Sequence, residues 1–359
     1  MVSADSLKLT TYFGERDRSG GRLLGDALLD IYGARRLQAS ILLRGTVGFG
    51  RRHHLHTDRL LSLSEDLPVV SVAVDRRDRI EAALEDVLRI KRRGLVTLER
   101  ARLETEELAA EPWPESLEEA TKLTFYVGRY ERAGGRPAFA ELCALLHAHG
   151  VAGATVLLGV DGTRLGERRR AAFFSANTNV PMMVTAVGTG ERIAAALAAS
   201  AGLLAQPVVT LERVRVCKRD GERLAIPHEL PGVDEHGLAM WQKLMVYTSE
   251  AADFGGHPLH LEIMRRLRAS DVAGATSLRG IWGFHGIRPP HGDRFFSLRR
   301  HVPVVTIVID SPERTARAFG IIDSLTTEHG LITSEMVPAL SAFTETERGG
   351  GLRLARHDY

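Results

Sequence analysis

One domain-sized pattern occurs three times in this chain, and this repetition is the feature that most constrains its fold. A paired glycine, Gly20-Gly21, recurs as Gly134-Gly135 and Gly255-Gly256, after 114 and then 121 residues. Three later landmarks keep nearly the same intervals: Gly45, Gly159 and Gly280; Pro68, Pro181 and Pro303; Thr97, Thr210 and Thr333. Solenoid repeats span only ~20–50 residues, so this period is that of a whole domain. The sequence therefore predicts three tandem copies of one domain.

The copies are separated where the pattern lapses. We place copy one at 1–103, copy two at 121–217 and copy three at 242–341. The segments 104–120 and 218–241 are predicted to be linkers, because both contain prolines and many charged residues. The segment 342–359, which includes three consecutive glycines, is predicted to be a flexible tail.

Composition excludes several classes of protein. Apolar residues make up 44% and charged residues 26% of the 359 residues, which is typical of a soluble globular protein. No apolar run reaches the ~18–20 residues that cross a bilayer, and the N-terminus has no signal-peptide pattern. Two cysteines cannot form a disulfide framework. We therefore expect a cytoplasmic protein, and a net charge of only +2 predicts no nucleic-acid partner.

Each copy shows the same order of predicted elements. In copy one we expect strands near 7–14, 38–44, 69–74 and 95–102, with helices over 23–32 and around 80–88. This βαββαβ order is the ferredoxin-like arrangement, with both helices on one face of the sheet.

The strand sequences also predict how the copies pack together. Residues 69–74 and 304–309 are almost continuously apolar, whereas a sheet wetted on one face should alternate. The predicted fold is therefore α+β, with three ferredoxin-like domains packing their open faces together as an intramolecular pseudo-trimer that behaves as a monomer. Isolated domains on strings are the alternative.

A glycine-rich segment after the second strand carries a family likeness. Residues 44–50 of copy one read Arg-Gly-Thr-Val-Gly-Phe-Gly, followed by His56-Thr57 and by the run 63–69. Copy three keeps the pattern over 274–286, and copy two keeps it over 153–159 before diverging. These residues resemble the PII-like family catalogued as domain of unknown function 190, whose pattern is Gly-Ala-Thr-Val-x-Arg-Gly-x-x-Gly-Phe-Gly. Copy one departs from it at Ala39-Ser40-Ile41-Leu42.

The resemblance implies a fold like that of PII signalling proteins. In those proteins this loop is mobile, contacts partner proteins and changes shape when an adenine nucleotide binds between subunits. The resemblance thus implies a signalling protein with a small anionic ligand, for which an adenine nucleotide is the candidate, and an unidentified protein partner. A membrane protein is one candidate partner, since some members are encoded beside fluoride-export membrane proteins. The family itself has no assigned activity.

The residues of the segment suggest how a ligand would be held. Glycines permit positive φ and close approach of the backbone to an anion, and arginines donate to phosphate or carboxylate. Phe49 and Phe284 are expected to pack against the ligand. Copy two has lost Phe-Gly, so we expect copies one and three to supply the binding residues: Arg44, Gly45, Gly48, Phe49, Gly50 and Arg51, with Arg279, Gly280, Gly283 and Phe284.

Two other functions remain open at this point: a protein-binding adaptor without a ligand, and an enzyme that uses the cleft. We find no Walker loop, Gly-x-Ser-x-Gly or His-Glu-x-x-His, so we assign no catalytic residue. His53, His54 and His56 could bind a metal with His285 or His291, but exposed loop histidines are the preferred interpretation and no metal site is predicted. Gly188-Thr189-Gly190 is interpreted as a plain strand-to-helix turn.

Overall fold

The structure is a computed structural model that describes residues 6–50, 56–57, 66–105, 120–168, 179–286, 289–292, 302–344 and 348–356. The predicted site residue Arg51, the histidines His53 and His54 and most of the first predicted linker lie outside these residues. Among the helices that the structure describes, none is both long enough and apolar enough to span a bilayer.

The three repeats fold into the same series of helices and strands. Repeat one contains β1 (Ser6–Gly14), β2 (Arg18–Ser19), β3 (Arg22–Leu23), α1 (Leu24–Ala34), β4 (Ala39–Phe49), β5 (His56–Thr57), β6 (Pro68–Arg76), α2 (Arg77–Ile90) and β7 (Gly94–Glu104). Repeat two contains β8 (Ala120–Gly128), β9 (Arg132–Ala133), β10 (Arg136–Pro137), α3 (Ala138–Ala148), β11 (Gly153–Leu158), β12 (Asp161–Arg164), β13 (Glu167–Arg168), β14 (Pro181–Thr189), α4 (Gly190–Ala199), β15 (Val209–Arg219) and β16 (Glu222–Arg223).

Repeat three follows the same order. It contains β17 (Trp241–Ser249), β18 (Asp253–Phe254), β19 (His257–Pro258), α5 (Leu259–Arg268), β20 (Ala275–Arg279), β21 (Trp282–His285), β22 (His291–Gly292), β23 (Pro303–Asp310), α6 (Pro312–Leu325), β24 (Leu331–Val337), β25 (Ala339–Phe343) and β26 (Arg348–Gly351). In each repeat the four long strands are antiparallel. Their order is β4-β6-β1-β7 in repeat one, β11-β14-β8-β15 in repeat two and β20-β23-β17-β24 in repeat three.

The paired glycines form a tight turn ahead of each first helix. Gly20 and Gly21 have φ angles of 56° and 81°, and the other two pairs are nearly identical. Two successive positive φ angles match a type I′ turn, which joins two-residue hairpins such as β2–β3. Pro137 and Pro258 are the last residues of two of these hairpins, and α3 and α5 begin at the residue that follows each proline.

The repeats are joined by two cyclic sets of strand pairs. The end of β4 pairs with β20 of repeat three, β21 pairs with β11 of repeat two, and β12 pairs with β4 of repeat one. In the second set, β7 pairs with β15, β15 pairs with β24, and β25 pairs back with β7. Each repeat therefore pairs with both of the others, and the last repeat pairs with the first.

Both faces of each sheet are covered. The helices of each repeat cover one face, over a separate apolar core for each repeat. The opposite faces meet in one central cluster with members from all three repeats, including Val72, Met183 and Ile307. This shared cluster explains why the strand sequences are continuously apolar rather than alternating.

The predicted linker 218–241 and the predicted tail 342–359 contain packed structure. β16 lies in the first, and Met240 packs there with Leu230 and Ala355 of the chain's end. In the tail, β26 pairs with β25 and Ala355 is fully buried. The described part of 342–359 therefore differs from the flexible tail that its glycines predicted.

Candidate functional site

Two glycines of the predicted ligand-binding loop, Gly45 and Gly48, lie in a strand, and Gly50 directly follows it. β4 continues to Phe49, and its end pairs with β20. Gly45, Gly48 and Gly50 have no positive φ, contrary to our expectation. A Cβ atom on Gly45 or Gly48 would lie 2.7 or 2.8 Å from the Pro68 ring. The close approach that these two glycines permit is therefore to Pro68 and to the neighbouring strand.

Repeat three uses its motif in the same way. A Cβ atom on Gly280 would lie 2.8 Å from the Pro303 ring, and one on Gly283 would lie 2.2 Å from the carbonyl oxygen of Ala154. Gly283 stands opposite Thr155 where β21 pairs with β11. These glycines let one repeat pair with the next.

The motif phenylalanines are buried in the core of a neighbouring repeat. Phe49 is 5% exposed and packs in the core of repeat three. Phe284 is 4% exposed, packs in the core of repeat two and meets the His147 ring edge-on at 5.1 Å between centroids. Both also line clefts between repeats, so they link a cleft wall to the core behind it.

The two motif arginines are held in ion pairs. Arg44 Nε lies 2.8 Å from Glu15 Oε1, and Arg279 Nε lies 3.1 Å from Glu250 Oε2. Repeat two has Leu158 and Arg129 at the equivalent positions, so both partners change there. The anion-ligand role that the sequence suggested for Arg44 and Arg279 remains a prediction, and an anion would have to compete with these carboxylates for the guanidinium groups.

The largest described cleft lies between repeats one and three and has a volume of about 620 Å³. We call it the first cleft. Its walls carry Tyr12, Phe13 and Phe49 from repeat one, and Trp241 and Ile307 from repeat three. A cavity of this size with aromatic walls suits a small organic molecule.

The charged groups of the first cleft come from both repeats. Repeat one contributes Asp17, Asp66 and Arg93, and repeat three contributes Asp310 and Arg314. Asp310 accepts hydrogen bonds from the backbone N–H groups of Ala273 and Ser311, both at 2.8 Å. Arg314 lies in the first turn of α6, whose N-terminus opens on the cleft, and the positive end of a helix dipole attracts anions.

A second cleft, of about 460 Å³, lies between repeats two and three. It is the counterpart of the first, with Tyr247, Phe284 and Pro303 in place of Tyr12, Phe49 and Pro68. Its polar groups differ, because His285 lies on its wall with Nε2 2.6 Å from Asp220 Oδ1. The two clefts therefore offer different chemistry.

The centre of the molecule contains six charged side chains that the sequence analysis did not single out. Lys8, Lys122 and Lys243 on the first strands stand opposite Glu99, Glu212 and Glu335 on the fourth strands of the same repeats. Each lysine also contacts the glutamate of the next repeat, as Lys122 does with Glu335 at 2.5 Å. The six form a closed ring of alternating charge, which we call the ionic ring. All are at most 6% exposed.

Ion pairing overrides burial for most of the ionic ring. Burial alone would lower the pKa of Lys243, but Glu335 and Glu99 raise it well above its ordinary value. Burial would raise the pKa of Glu99, yet Lys243 and Lys8 lower it. Lys122 differs from Lys243, because burial lowers its pKa despite the neighbouring glutamates. The three carboxylates lie close enough together to suggest a metal site, but the interleaved ammonium groups already neutralise them.

Lys91 is a buried amine behind the wall of the first cleft. It is 2% exposed, donates a hydrogen bond to the carbonyl oxygen of Tyr12 at 2.8 Å and lies 5.0 Å from the centre of the Phe13 ring. Burial lowers its pKa to about 7, against the opposing charge of Asp17. Leu204 and Thr327 take its place in the other repeats, so this amine belongs to the first cleft alone.

The sequence contains signals that could have identified the six residues of the ionic ring. A lysine recurs before the leucine of each first strand, in Lys8-Leu9, Lys122-Leu123 and Lys243-Leu244, and a glutamate follows each landmark threonine by two residues. Charged residues repeated at the same place in apolar strands predict a buried, paired cluster. Three lining residues of the first cleft, Gly48, Phe49 and Gly50, belong to the predicted motif. The others carry no such signal, since they come from segments far apart in sequence.

Comparisons with known proteins identify the repeats. The family model described as "Uncharacterized ACR", domain of unknown function 190, matches residues 6–103, 120–216 and 241–339. A "UPF0166 protein" of Aquifex aeolicus (strain VF5) is 32% identical over 98 residues, which cover 27% of this chain and 90% of that relative. The relative therefore corresponds to about one repeat. The chain belongs to the family of domain of unknown function 190 and carries three tandem copies of it, as the motifs predicted.

Proposed function

We propose that this chain is a PII-like regulatory protein in which three ferredoxin-like domains form an intramolecular pseudo-trimer. The two cyclic sets of strand pairs, the shared central core and the ionic ring support this arrangement. In all of them, equivalent segments of the three repeats contact one another.

The proposed ligand site is the first cleft, and its ligand is a small molecule with a flat apolar part and an anionic group. An adenine nucleotide fits this description. The observation that carries the proposal is the pairing of an aromatic wall with a helix N-terminus in one cavity. The base would lie between Phe13 and Trp241, and its phosphates would lie near the first turn of α6 and Arg314.

In regulation, the ligand would favour one arrangement of the residues at the cleft rim over another and so change affinity for a partner. Gly50 and Asp66 both line the first cleft. In sequence they stand at the two ends of the segment 50–66, which follows the Gly-Phe-Gly motif. A ligand in the cleft would therefore contact both ends of the segment that resembles the partner-binding loop of PII proteins.

Isothermal titration calorimetry of the purified chain with ATP, ADP, AMP and cyclic AMP tests this function. We expect at least one of them to bind and to change the fluorescence of Trp241, with the Trp241→Phe variant as the optical control. Flat titrations with all four at millimolar concentration would end the nucleotide proposal and favour a protein-binding adaptor. Turnover of a nucleotide that stops on mutation of the cleft would instead favour an enzyme.

A further inference from the structure

At the place between repeats two and one that corresponds to the first cleft, the protein's own Arg164 is bound by a carboxylate and a carbonyl oxygen. Arg164 follows Thr163 at the end of β12, as Gly50 follows Phe49 at the end of β4. Its guanidinium lies 2.6 Å and 3.3 Å from the two carboxylate oxygens of Glu131. It also donates to the carbonyl oxygen of Gln206 at 2.6 Å. We call this place the third cleft.

The partners of Arg164 have counterparts in the first cleft. Glu131 corresponds to Asp17, and Gln206 corresponds to Arg93. The two carboxylates are held alike: Glu131 accepts a hydrogen bond from the N–H of Gly128 at 2.9 Å, and Asp17 accepts one from the N–H of Gly14 at 3.1 Å. Both Asp17 and Arg93 line the first cleft. The receptor for a guanidinium is therefore present in both places.

In the first cleft Gly50 stands at the position equivalent to Arg164, and no side chain of the described residues donates to Asp17 as Arg164 donates to Glu131. A Cβ atom on Gly50 would have no described atom within 4 Å. Burial lowers the pKa of Lys91 against the opposing negative charge of Asp17, but Lys91 donates its hydrogen bond to the backbone carbonyl oxygen of Tyr12. Among the described residues, the Asp17 carboxylate accepts one hydrogen bond, from the backbone N–H of Gly14. In the second cleft the carboxylate is replaced by Ala252 and the glycine by His285, so of the three clefts the first alone combines a carboxylate with a glycine at these two positions.

We propose that the ligand of the first cleft presents an amino or guanidino group to Asp17, in the place that the Arg164 guanidinium takes on Glu131. This inference rests on the proposed ligand-binding function and names the chemistry that selects the ligand. Among nucleotides it favours a base with an exocyclic amino group. Asp17 and Gly50 then determine specificity, one by accepting the donor and the other by leaving room for it.

The first test needs no ligand. The Gly50→Arg variant should place a guanidinium on Asp17 and raise the midpoint of thermal unfolding by several degrees, and Asp17→Ala in the same chain should remove that increase. Gly50→Met is the matched control, since it adds bulk without charge, and Ala252 shows that the fold accepts alanine at the position of Asp17. An increase that does not depend on Asp17, or no increase, overturns the inference.

The second test compares AMP with IMP. AMP carries an exocyclic amino group on its base, and IMP carries a carbonyl group in its place. By calorimetry, AMP should bind at least tenfold tighter than IMP. Asp17→Ala should remove this preference, and Gly50→Arg should abolish binding while Gly50→Ala preserves it. Equal affinity for AMP and IMP overturns the inference. If neither binds but the stability increase depends on Asp17, the nucleotide proposal fails and the donor-group inference stands.

Discussion

The hydroxyl oxygens of Ser40 and Thr163 lie 2.7 Å apart in a buried contact between repeats one and two. At the equivalent contacts, Ala275 faces Phe49 and Ala154 faces Phe284. The stretch where repeat one departs from the family motif thus faces the stretch where repeat two departs from it. The two departures are the two sides of one interface, in which a hydrogen bond replaces the packing of a phenylalanine on an alanine.

A double-mutant cycle tests this contact. Ser40→Ala and Thr163→Val should each lower the free energy of unfolding by about 1–2 kcal/mol, because each removes the hydrogen bond between two buried hydroxyls. The double variant should lose clearly less than the sum of the two. Urea denaturation measures all three. Ser277→Ala, which breaks a similar contact with Thr306 in repeat three, is the control and should be additive with Thr163→Val.

The ionic ring should tolerate the loss of a pair better than the loss of one member. Lys243→Leu should cost about 3–5 kcal/mol of stability, since it leaves Glu99 and Glu335 with one buried negative charge in excess. Lys243→Leu with Glu335→Leu restores neutrality and should cost less than the single change. The exposed pair of Arg22 and Asp30 is the control, and Arg22→Ala should cost at most about 1 kcal/mol. A double variant less stable than the single one would contradict the paired-charge account.

The triplication could be predicted from the sequence because its landmarks recur at nearly constant intervals. The approximate bounds of the helices could be predicted because they depend on the local spacing of apolar residues. Helices predicted over 23–32 and around 80–88 are α1 (Leu24–Ala34) and α2 (Arg77–Ile90). The role of Gly45 and Gly48 could not be predicted from local pattern. A glycine-rich, basic stretch has the composition of a loop, and only the presence of β20 beside it makes a strand.

Lys91 should make stability depend on pH. Its pKa is about 7 in the folded state against 10.5 for an ordinary lysine, so between these values the unfolded chain binds more protons. Stability should therefore rise with pH from 7 to 9.5, by about 3 kcal/mol. Well below pH 7 both the folded and the unfolded chain carry the proton, so this group should add no further pH dependence there. Urea denaturation across this range should give a flatter profile for Lys91→Met. Arg92→Met, at the exposed neighbouring position, should keep the wild-type slope.

The arginines of the cleft and of the motif should differ in their effect on ligand affinity. Arg314→Ala should weaken nucleotide binding about tenfold or more, because it removes a charged donor beside the α6 N-terminus. Arg317→Ala, one turn further along α6 and exposed, is the matched control. Arg44→Ala should change affinity less than twofold, since Arg44 is paired with Glu15 and, unlike Arg314, is not among the residues that line the first cleft. Calorimetry decides, and a larger effect of Arg44 would restore the motif arginines as ligand-binding residues.

Because the third repeat pairs with the first repeat of the same chain, we expect the protein to be a monomer. β25 pairs with β7 over Gly94–Leu98, so the edge of repeat one is covered by repeat three rather than by a second chain. Sedimentation equilibrium should give a mass near 39.4 kDa at all concentrations. A chain ending at Pro338 loses β25, and the exposed edge of β7 should then drive association that increases with concentration. A chain ending at Thr344 keeps β25 and should remain monomeric, so association of that variant or of the full chain would show that the edge is not closed internally.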